Sequence, residues 1–502
     1  VPAQLSDLGS TVAKQEVAYA TLRDAILGGV LGVGLTMPST RALALRWRLS
    51  RGTMETVYDR LCSEGYLCRR RGAGTFVSAT IPDSYLMARP MEPQREATVE
   101  DARSERTQSN SYKQAERDVR VGTPFVARLP DPDLFPLKDW SRHVAKTIAA
   151  NSAQIRGKAD PAGLPSLRMQ IADYLRKFRN IDCGPDDVFM TSGIRHAIDL
   201  ICRAFVTKGD KVCVEDPCYP FAYEIFALSG AAVAHVPVHL AVHLDGIQTS
   251  ILRRHGDAKL VYVTPAHQSP LGMTMAVSHR LELLEWAESN DAIIIEDDYD
   301  SEFSYSGAPL PALMSVDRSG RTIYCGSFNK TLSLDMRVGF VVAKGDVRRT
   351  LSDIWRLVGR STGLAEQIAL ESYLRTGAFA RHLRVARHAY VQRRDCLLRI
   401  LESRARGLYL VSGHEAGLHF LLWLRNGQSE AEFCARAASE GIALQPLSAF
   451  CCQTVFPPTV VVGYAALAMH QIEEAGAKLA AILAENSQCA ALPRDGGRRC
   501  DV

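Results

Sequence analysis

Six short apolar runs punctuate the longer, later part of the chain: residues 188–190, 211–214, 260–263, 292–295, 322–325 and 340–342. Helical segments lie between many of them. Runs this short, apolar at nearly every position, predict strands buried on both faces of a largely parallel sheet. The front of the chain keeps a different rhythm. Residues 12–29 place Val17, Leu22 and Ile26 at helical spacing and stop at Gly28-Gly29. Pro38-Ser39-Thr40 then opens a second helix that Ser39 or Thr40 can cap, with Leu43 and residues 45–47 as its apolar surface. Ser50 opens a third helix that ends near Gly65. Short strands at 66–68 and 75–78 flank the basic hairpin Arg69-Arg-Arg-Gly-Ala-Gly74. Three helices followed by such a hairpin are the layout of a winged helix-turn-helix.

Between these two patterns the composition changes. Residues 95–120 are dense in Glu, Arg, Gln, Ser and Asn, with few large apolar side chains, and cannot bury a core. The expected organisation is therefore a winged helix over 12–80, a flexible linker over 81–120, an α/β domain over 121–485 and a disordered tail over 486–502. A chain of 502 residues is too long for one ordinary core. Its 47% hydrophobic and 23% charged content is that of a globular protein. No apolar run approaches the ~18–20 residues that span a bilayer, and the N-terminus lacks a signal pattern. The thirteen cysteines are scattered, with no Cys-x-x-Cys pair and no metal-ligand spacing, which points to reduced thiols in the cytoplasm. Residues 1–80 hold ten basic and six acidic side chains, an excess of +4 that equals the net charge of the whole chain. A basic front on a neutral body suggests nucleic acid.

Ligands of open α/β sheets lie at the carboxyl ends of the strands. Polar clusters occupy those ends here: Thr191-Ser-Gly193, Glu215-Asp-Pro-Cys-Tyr219, Thr264-Pro-Ala-His-Gln268, Glu296-Asp-Asp-Tyr299 and the turn from Ser327 to Lys330. A lysine after a strand is, alone, an ordinary loop charge. Lys330 has Ser327 three residues before it and Arg337 seven after it. Asp297 and Tyr299, two apart on an extended strand, share one face, so Asp298 faces away toward a structural bond. Ser192-Gly193 precede a helical pattern, which offers amides at a helix N-terminus to an anion.

The front motifs resemble GntR-type bacterial repressors. Met37-Pro-Ser-Thr-Arg41 matches their Pro-Ser-x-Arg, Ser50-Arg-Gly-Thr53 the start of their recognition helix, and Glu64-Gly-Tyr-Leu67 with Gly72-Ala-Gly-Thr-Phe76 their wing. The clusters of the second domain, in their order, resemble fold-type I pyridoxal phosphate (PLP) aminotransferases. Joined, the two are the architecture of the MocR subgroup of bacterial transcription regulators, a resemblance that covers residues 12–80 and 121–480. It implies PLP held as a Schiff base on Lys330, with Ser327, Arg337, Ser192 and Gly193 on the phosphate. Tyr219 would stack on the ring, Asp297 would face the pyridine nitrogen and Tyr299 would donate to the phenolate oxygen. Ser269 stands where related enzymes carry Asn, and His267-Gln268 match the family's His-Gln. In the DNA-binding half, Arg51 and Thr53 would reach base edges from the first turn of the recognition helix. Arg41 would contact the groove edge, and Gly72 and Gly74 would let the wing backbone approach the duplex.

The chain also departs from the family. Arg195 and His196 replace a glutamine, and Pro270-Leu-Gly272 replaces Pro-Thr-Gly. Val461 and Phe221 stand where aminotransferases place two substrate-carboxylate arginines, leaving Arg195 or Arg360 as substitutes. The resemblance thus implies a PLP-dependent, DNA-binding regulator, a head-to-tail homodimer that senses an amine, an amino acid or PLP itself. The competing readings are an active aminotransferase with an accessory DNA-binding domain, and a cofactor-free relic.

Overall fold

The hydroxyls of Ser39 and Ser50 begin the helices of the front domain. Ser39 Oγ accepts the Ala42 N–H at 3.1 Å and Ser50 Oγ the Thr53 N–H at 3.0 Å; each such cap stabilises a helix by about 1 kcal/mol. They start α2 (Thr40–Trp47) and α3 (Arg51–Ser63), after α1 (Thr11–Leu27). The computed structural model describes residues 11–70, 73–78, 122–150, 160–241, 244–247, 249–305, 311–333, 336–359, 362–425 and 428–489. The expected linker and most of the expected tail lie outside these residues. By its contacts the chain divides into two compact units, Val1–Thr107 and Gln108–Val502.

In the first unit, Leu22 and Ile26 of α1 pack with Leu43, Met54, Val57, Tyr58 and Leu61 of the other two helices. The hairpin β1 (Leu67–Arg70) and β2 (Gly74–Val77) closes this core, with Leu67 opposite Val77. Leu45, expected on the apolar surface, is 82% exposed instead.

The second unit is built on an eight-stranded sheet in the order β3-β10-β9-β8-β7-β4-β5-β6. Its strands are β3 (Val188–Thr191), β4 (Lys211–Asp216), β5 (Ala232–Ala241), β6 (Leu244–Ile247), β7 (Ala258–Val263), β8 (Ile293–Asp298), β9 (Thr322–Ser327) and β10 (Gly339–Val342). The six apolar runs are six of these strands. Alternate residues feed different cores, as the pleat requires. Ile293 and Ile295 of β8 pack on one face, with the helices Ile194–Phe205 and Gly345–Val358, while Ile294 packs on the other with the helix Val277–Ser289. β5 and β6 were not among the expected strands, and neither was a second, antiparallel sheet in the order β11-β12-β14-β13. That sheet comprises β11 (Tyr409–Ser412), β12 (His419–Leu424), β13 (Gln445–Pro446) and β14 (Thr459–Gly463). It shares a core with the long helix Ala378–Ala405 and the last helix, Met469–Cys489, which runs into the stretch expected to be tail. Among the described residues no helix is long and apolar enough to cross a membrane.

Candidate functional site

Strands β4, β7, β8 and β9 run parallel, so their polar ends emerge along one edge of the sheet. β10 runs the other way and pairs Gly339 with both Ser327 and Thr191, which sets the ends of β9 and β3 on either side of it. Gly193, at φ +107°, turns the chain into the helix Ile194–Phe205. A Cβ on Gly339 would lie 2.9 Å from the Gly193 Cα, so this close backbone approach depends on glycine. Ser192 and Arg337 line a cavity of about 470 Å³ there, together with Ser333 and Thr362. The helix-start amides are engaged locally, Ser192 N–H with His196 Nδ1 at 3.2 Å and Gly193 N–H with Thr191 Oγ1 at 3.3 Å.

The turn after β9 is fixed by buried Phe328 and Leu332. His382 Nε2–H reaches it from the long helix, donating to the Thr331 carbonyl at 2.7 Å. The Lys330 amine, held between these anchors, donates to the Arg128 carbonyl at 2.7 Å. Ser327 Oγ accepts the Asn329 N–H at 3.1 Å.

Asp297 and Asp298 separate as their alternation on the strand requires. Asp298 accepts from Tyr324 OH at 2.6 Å and meets the buried Arg179 at 2.8 Å, a structural ion pair. Asp297 accepts from Tyr262 OH at 2.5 Å. Burial pushes its carboxyl up to about 7; the Tyr262 hydrogen bond and Lys330 oppose the rise, and Asp298 and Asp300 add to it. Burial likewise raises Glu296 to about 7, although it accepts the Leu313 and Met314 N–H groups at 2.7 and 2.8 Å.

Tyr299 OH lies 3.1 Å from His267 Nδ1, which also meets Asp300 at 2.9 Å, and the Ser269 hydroxyl bonds to Tyr299. Gln268 ties its loop to the one after β4, donating to the Pro217 carbonyl at 2.7 Å, and accepts within its own loop from Leu271 N–H at 3.0 Å. Tyr219 stands at the start of the helix Pro220–Leu228, and its hydroxyl accepts from Arg195 Nε at 3.0 Å. The Arg195 guanidinium lies 3.4 Å from the centre of the Phe221 ring. Arg195, one of the two substitutes the sequence offered for the missing carboxylate arginines, thus meets both of these aromatics. Val461 is buried in an apolar cluster with Leu421, Leu447 and Phe450, and Arg360 lies outside the described residues.

The site also contains residues that sequence reasoning missed. Tyr262 is one; only the pairing of β7 with β8 brings it to Asp297. His419 is another, buried on β12, donating from Nε2 to the Pro270 carbonyl at 3.0 Å, its ring 5.6 Å from that of His267. Burial first, then His267 and Arg128, hold its pKa well below the ordinary histidine range. The third is Arg128, 8% exposed, its guanidinium carbon 4.8 Å from the Phe450 ring centre and 5.9 Å from that of Tyr219. It sits in a loop without periodicity or motif, so nothing in the sequence singled it out.

These residues fit a phosphorylated pyridine aldehyde. An amine, a carboxylate, two serine hydroxyls and a guanidinium border one sheet edge, and the Gly193–Gly339 contact leaves a cradle that side chains would fill. Asn329 Oδ1, two residues from Ser327, is buried with no hydrogen-bond partner among the described residues.

In the first unit, Arg41 and Arg51 are exposed at the starts of α2 and α3. Arg51 Nε pairs with Glu55, one turn on, at 2.8 Å. Thr53 is buried, its hydroxyl 2.7 Å from Ser50 Oγ at the helix start. Arg46 and Arg48, which lie between Arg41 and Arg51 in the chain, are also exposed. Gly74, at φ +108°, begins β2; Gly72 lies outside the described residues.

Residues 130–479 match the family "Aminotransferase class I and II" and residues 14–77 match "Bacterial regulatory proteins, gntR family". The chain is 30% identical over 489 residues, 97% of each chain, to the probable rhizopine catabolism regulatory protein MocR of Rhizobium meliloti. It is 32% identical over 374 residues, 74% of this chain and 76% of the other, to the pyridoxine biosynthesis transcriptional regulator PdxR of Corynebacterium glutamicum. Among solved structures, the kynurenine aminotransferase of Pyrococcus horikoshii, in complex with PMP, superposes with a TM-score of 0.66 at 25% identity, covering 80% of this chain and 98% of that one. With a GntR region in front and an aminotransferase class I and II domain behind, aligned to MocR from end to end, the chain belongs to the MocR group of GntR-family transcription regulators.

Proposed function

We propose that this protein is a transcription regulator that holds PLP on Lys330 and answers to an amine, an amino acid or PLP itself. The observation that carries the reading is the convergence of Lys330, Asp297, Ser327, Gly193 and Arg337 on one sheet edge. When bound, the cofactor supplies a reactive aldehyde and an electron sink. The chain supplies the grip on it. Arg337, Ser327, Ser192 and the Gly193 turn would hold the phosphate with a guanidinium, hydroxyls and amides. Asp297, its Oδ2 fixed by Tyr262, would keep the ring nitrogen protonated. Tyr219 would cover the ring face, and Tyr299, backed by Ser269 and His267, would donate to the phenolate oxygen.

In the DNA-binding half, Arg51 would read a base edge in the major groove, with Arg41 and Gly74 against the duplex. A head-to-tail homodimer would present two such surfaces to an operator. An aminotransferase activity is disfavoured by the apolar surroundings of Val461 on β14, where a carboxylate in the pose that aminotransferases use would go unpaired. The test is Lys330→Ala. The purified wild type should show the cofactor's visible absorbance band, and the variant should lose it while keeping its fold and its basal operator binding. An unchanged band in the variant would rule out Lys330.

A further inference from the structure

The segment that carries Arg128 is stapled across the second unit at several points. Ala443 N–H donates to the Pro124 carbonyl and Gly463 N–H to the Phe125 carbonyl, each at 3.0 Å. A Cβ on Gly463 would collide with the Val126 carbonyl, so the end of β14 is shaped to receive this segment. Ala127 then enters the cluster that holds Val461 and Phe450. On the far side, Asp131 N–H donates to Tyr390 OH at 3.0 Å, and Asp131 Oδ2 accepts from Arg393 at 2.6 Å. Within this frame Arg128 is held at φ +62°, a conformation that favours glycine and that a side chain adopts at a cost. A bulky residue kept in such a conformation, with its guanidinium turned inward, implies that the guanidinium is wanted there.

Its surroundings indicate for what. The Arg128 carbonyl touches the Lys330 amine, while its guanidinium lies between Phe450 and Tyr219, close enough to act electrostatically on Tyr299 and His419. An amine-reactive position and a fixed fork of N–H donors thus lie within one residue's reach of each other. That spacing suits a small molecule carrying an amino group and a carboxylate. β14, which packs against this segment, contributes the apolar Val461 to the cluster that holds Ala127 and Phe450.

We propose that Arg128 recognises the carboxylate of an amino-acid effector, delivered to the site by the N-terminal segment of the domain and not by β14. The inference rests on the reading that PLP is held on Lys330, and it narrows the effector from amines in general to amino acids.

The test uses full-length, cofactor-loaded protein and calorimetric titration with matched pairs: L-alanine and ethylamine, L-phenylalanine and phenethylamine, L-lysine and cadaverine. The wild type should prefer the carboxylate member of at least one pair by roughly 30-fold or more, the usual consequence of a buried charge pair. Arg128→Gly suits φ +62° and should fold; it should abolish most of that preference and leave the visible cofactor band intact. Arg128→Lys should restore part of it. The proposal is overturned if the wild type discriminates within no pair, if Arg128→Gly keeps the preference, or if it weakens both members equally. A wild type that takes up no cofactor overturns the underlying reading, and this inference with it, and the missing band distinguishes that failure from the others.

Discussion

Asp297→Asn should act in opposite directions on the protein with and without its cofactor. In the folded chain the Asp297 carboxyl is raised from 3.8 to about 7, chiefly by burial. From about pH 4 to pH 7 the folded form keeps a proton that the unfolded form has released, so this residue makes stability fall as the pH rises through that window. Once ionised it costs the folded state up to about 4 kcal/mol, at ~1.4 kcal/mol for each pH unit of the displacement. Asparagine has the same shape, can still accept the Tyr262 hydrogen bond and cannot ionise. Urea unfolding of cofactor-free wild type and variant should therefore show a gap that widens in the variant's favour, by roughly 2 kcal/mol or more between pH 5 and pH 8. Glu296, also raised to about 7, is common to both proteins and cancels. With cofactor present the order should reverse, because the ring nitrogen has lost its anionic partner; the variant should bind PLP more weakly and shift its visible band. A stability gap that stayed the same at both pH values would refute the argument.

Arg51→Ala should weaken specific operator binding by about 1–3 kcal/mol and leave the cofactor band unchanged; equal loss on operator and random DNA in a binding titration would make Arg51 a backbone contact. Asp298→Asn takes from Arg179 the carboxylate it meets at 2.8 Å and should destabilise the second unit by roughly 3–5 kcal/mol in denaturant unfolding. Transamination of common amino acids, followed as oxo-acid formation, should stay below ~1 per second, the low end of enzyme rates; rapid turnover would restore the aminotransferase reading.

What could be read in the sequence was local. Ser39 and Ser50 announced their helices because a cap is a matter of a few residues, and the buried strands showed because both their faces are apolar. β5 escaped because Pro237 and two histidines interrupt its run, and β13, two residues long, has no pattern to show. In the site, strand alternation separated Asp297 from Asp298 correctly. Thr53, which the resemblance to a recognition helix turned toward a base edge, has its hydroxyl 2.7 Å from Ser50 Oγ at the helix start. Tyr262 and Arg128 were invisible for a different reason: each matters only through a neighbour far along the chain, and register or loop path decides that neighbour.

The hydrogen bond from the Lys330 amine to the Arg128 carbonyl has a consequence for how news of a ligand could travel. Residues 122–131 are the first described residues of the second unit, and they are fastened to it at several points. Any chemistry that captures the Lys330 nitrogen withdraws a donor from that foothold. On the proposed reading the lysine would be both the site's reactive handle and one of the pegs that fasten this segment. Occupancy would loosen or re-seat that peg, and amide hydrogen exchange over residues 125–131, compared with and without cofactor, would register the change directly.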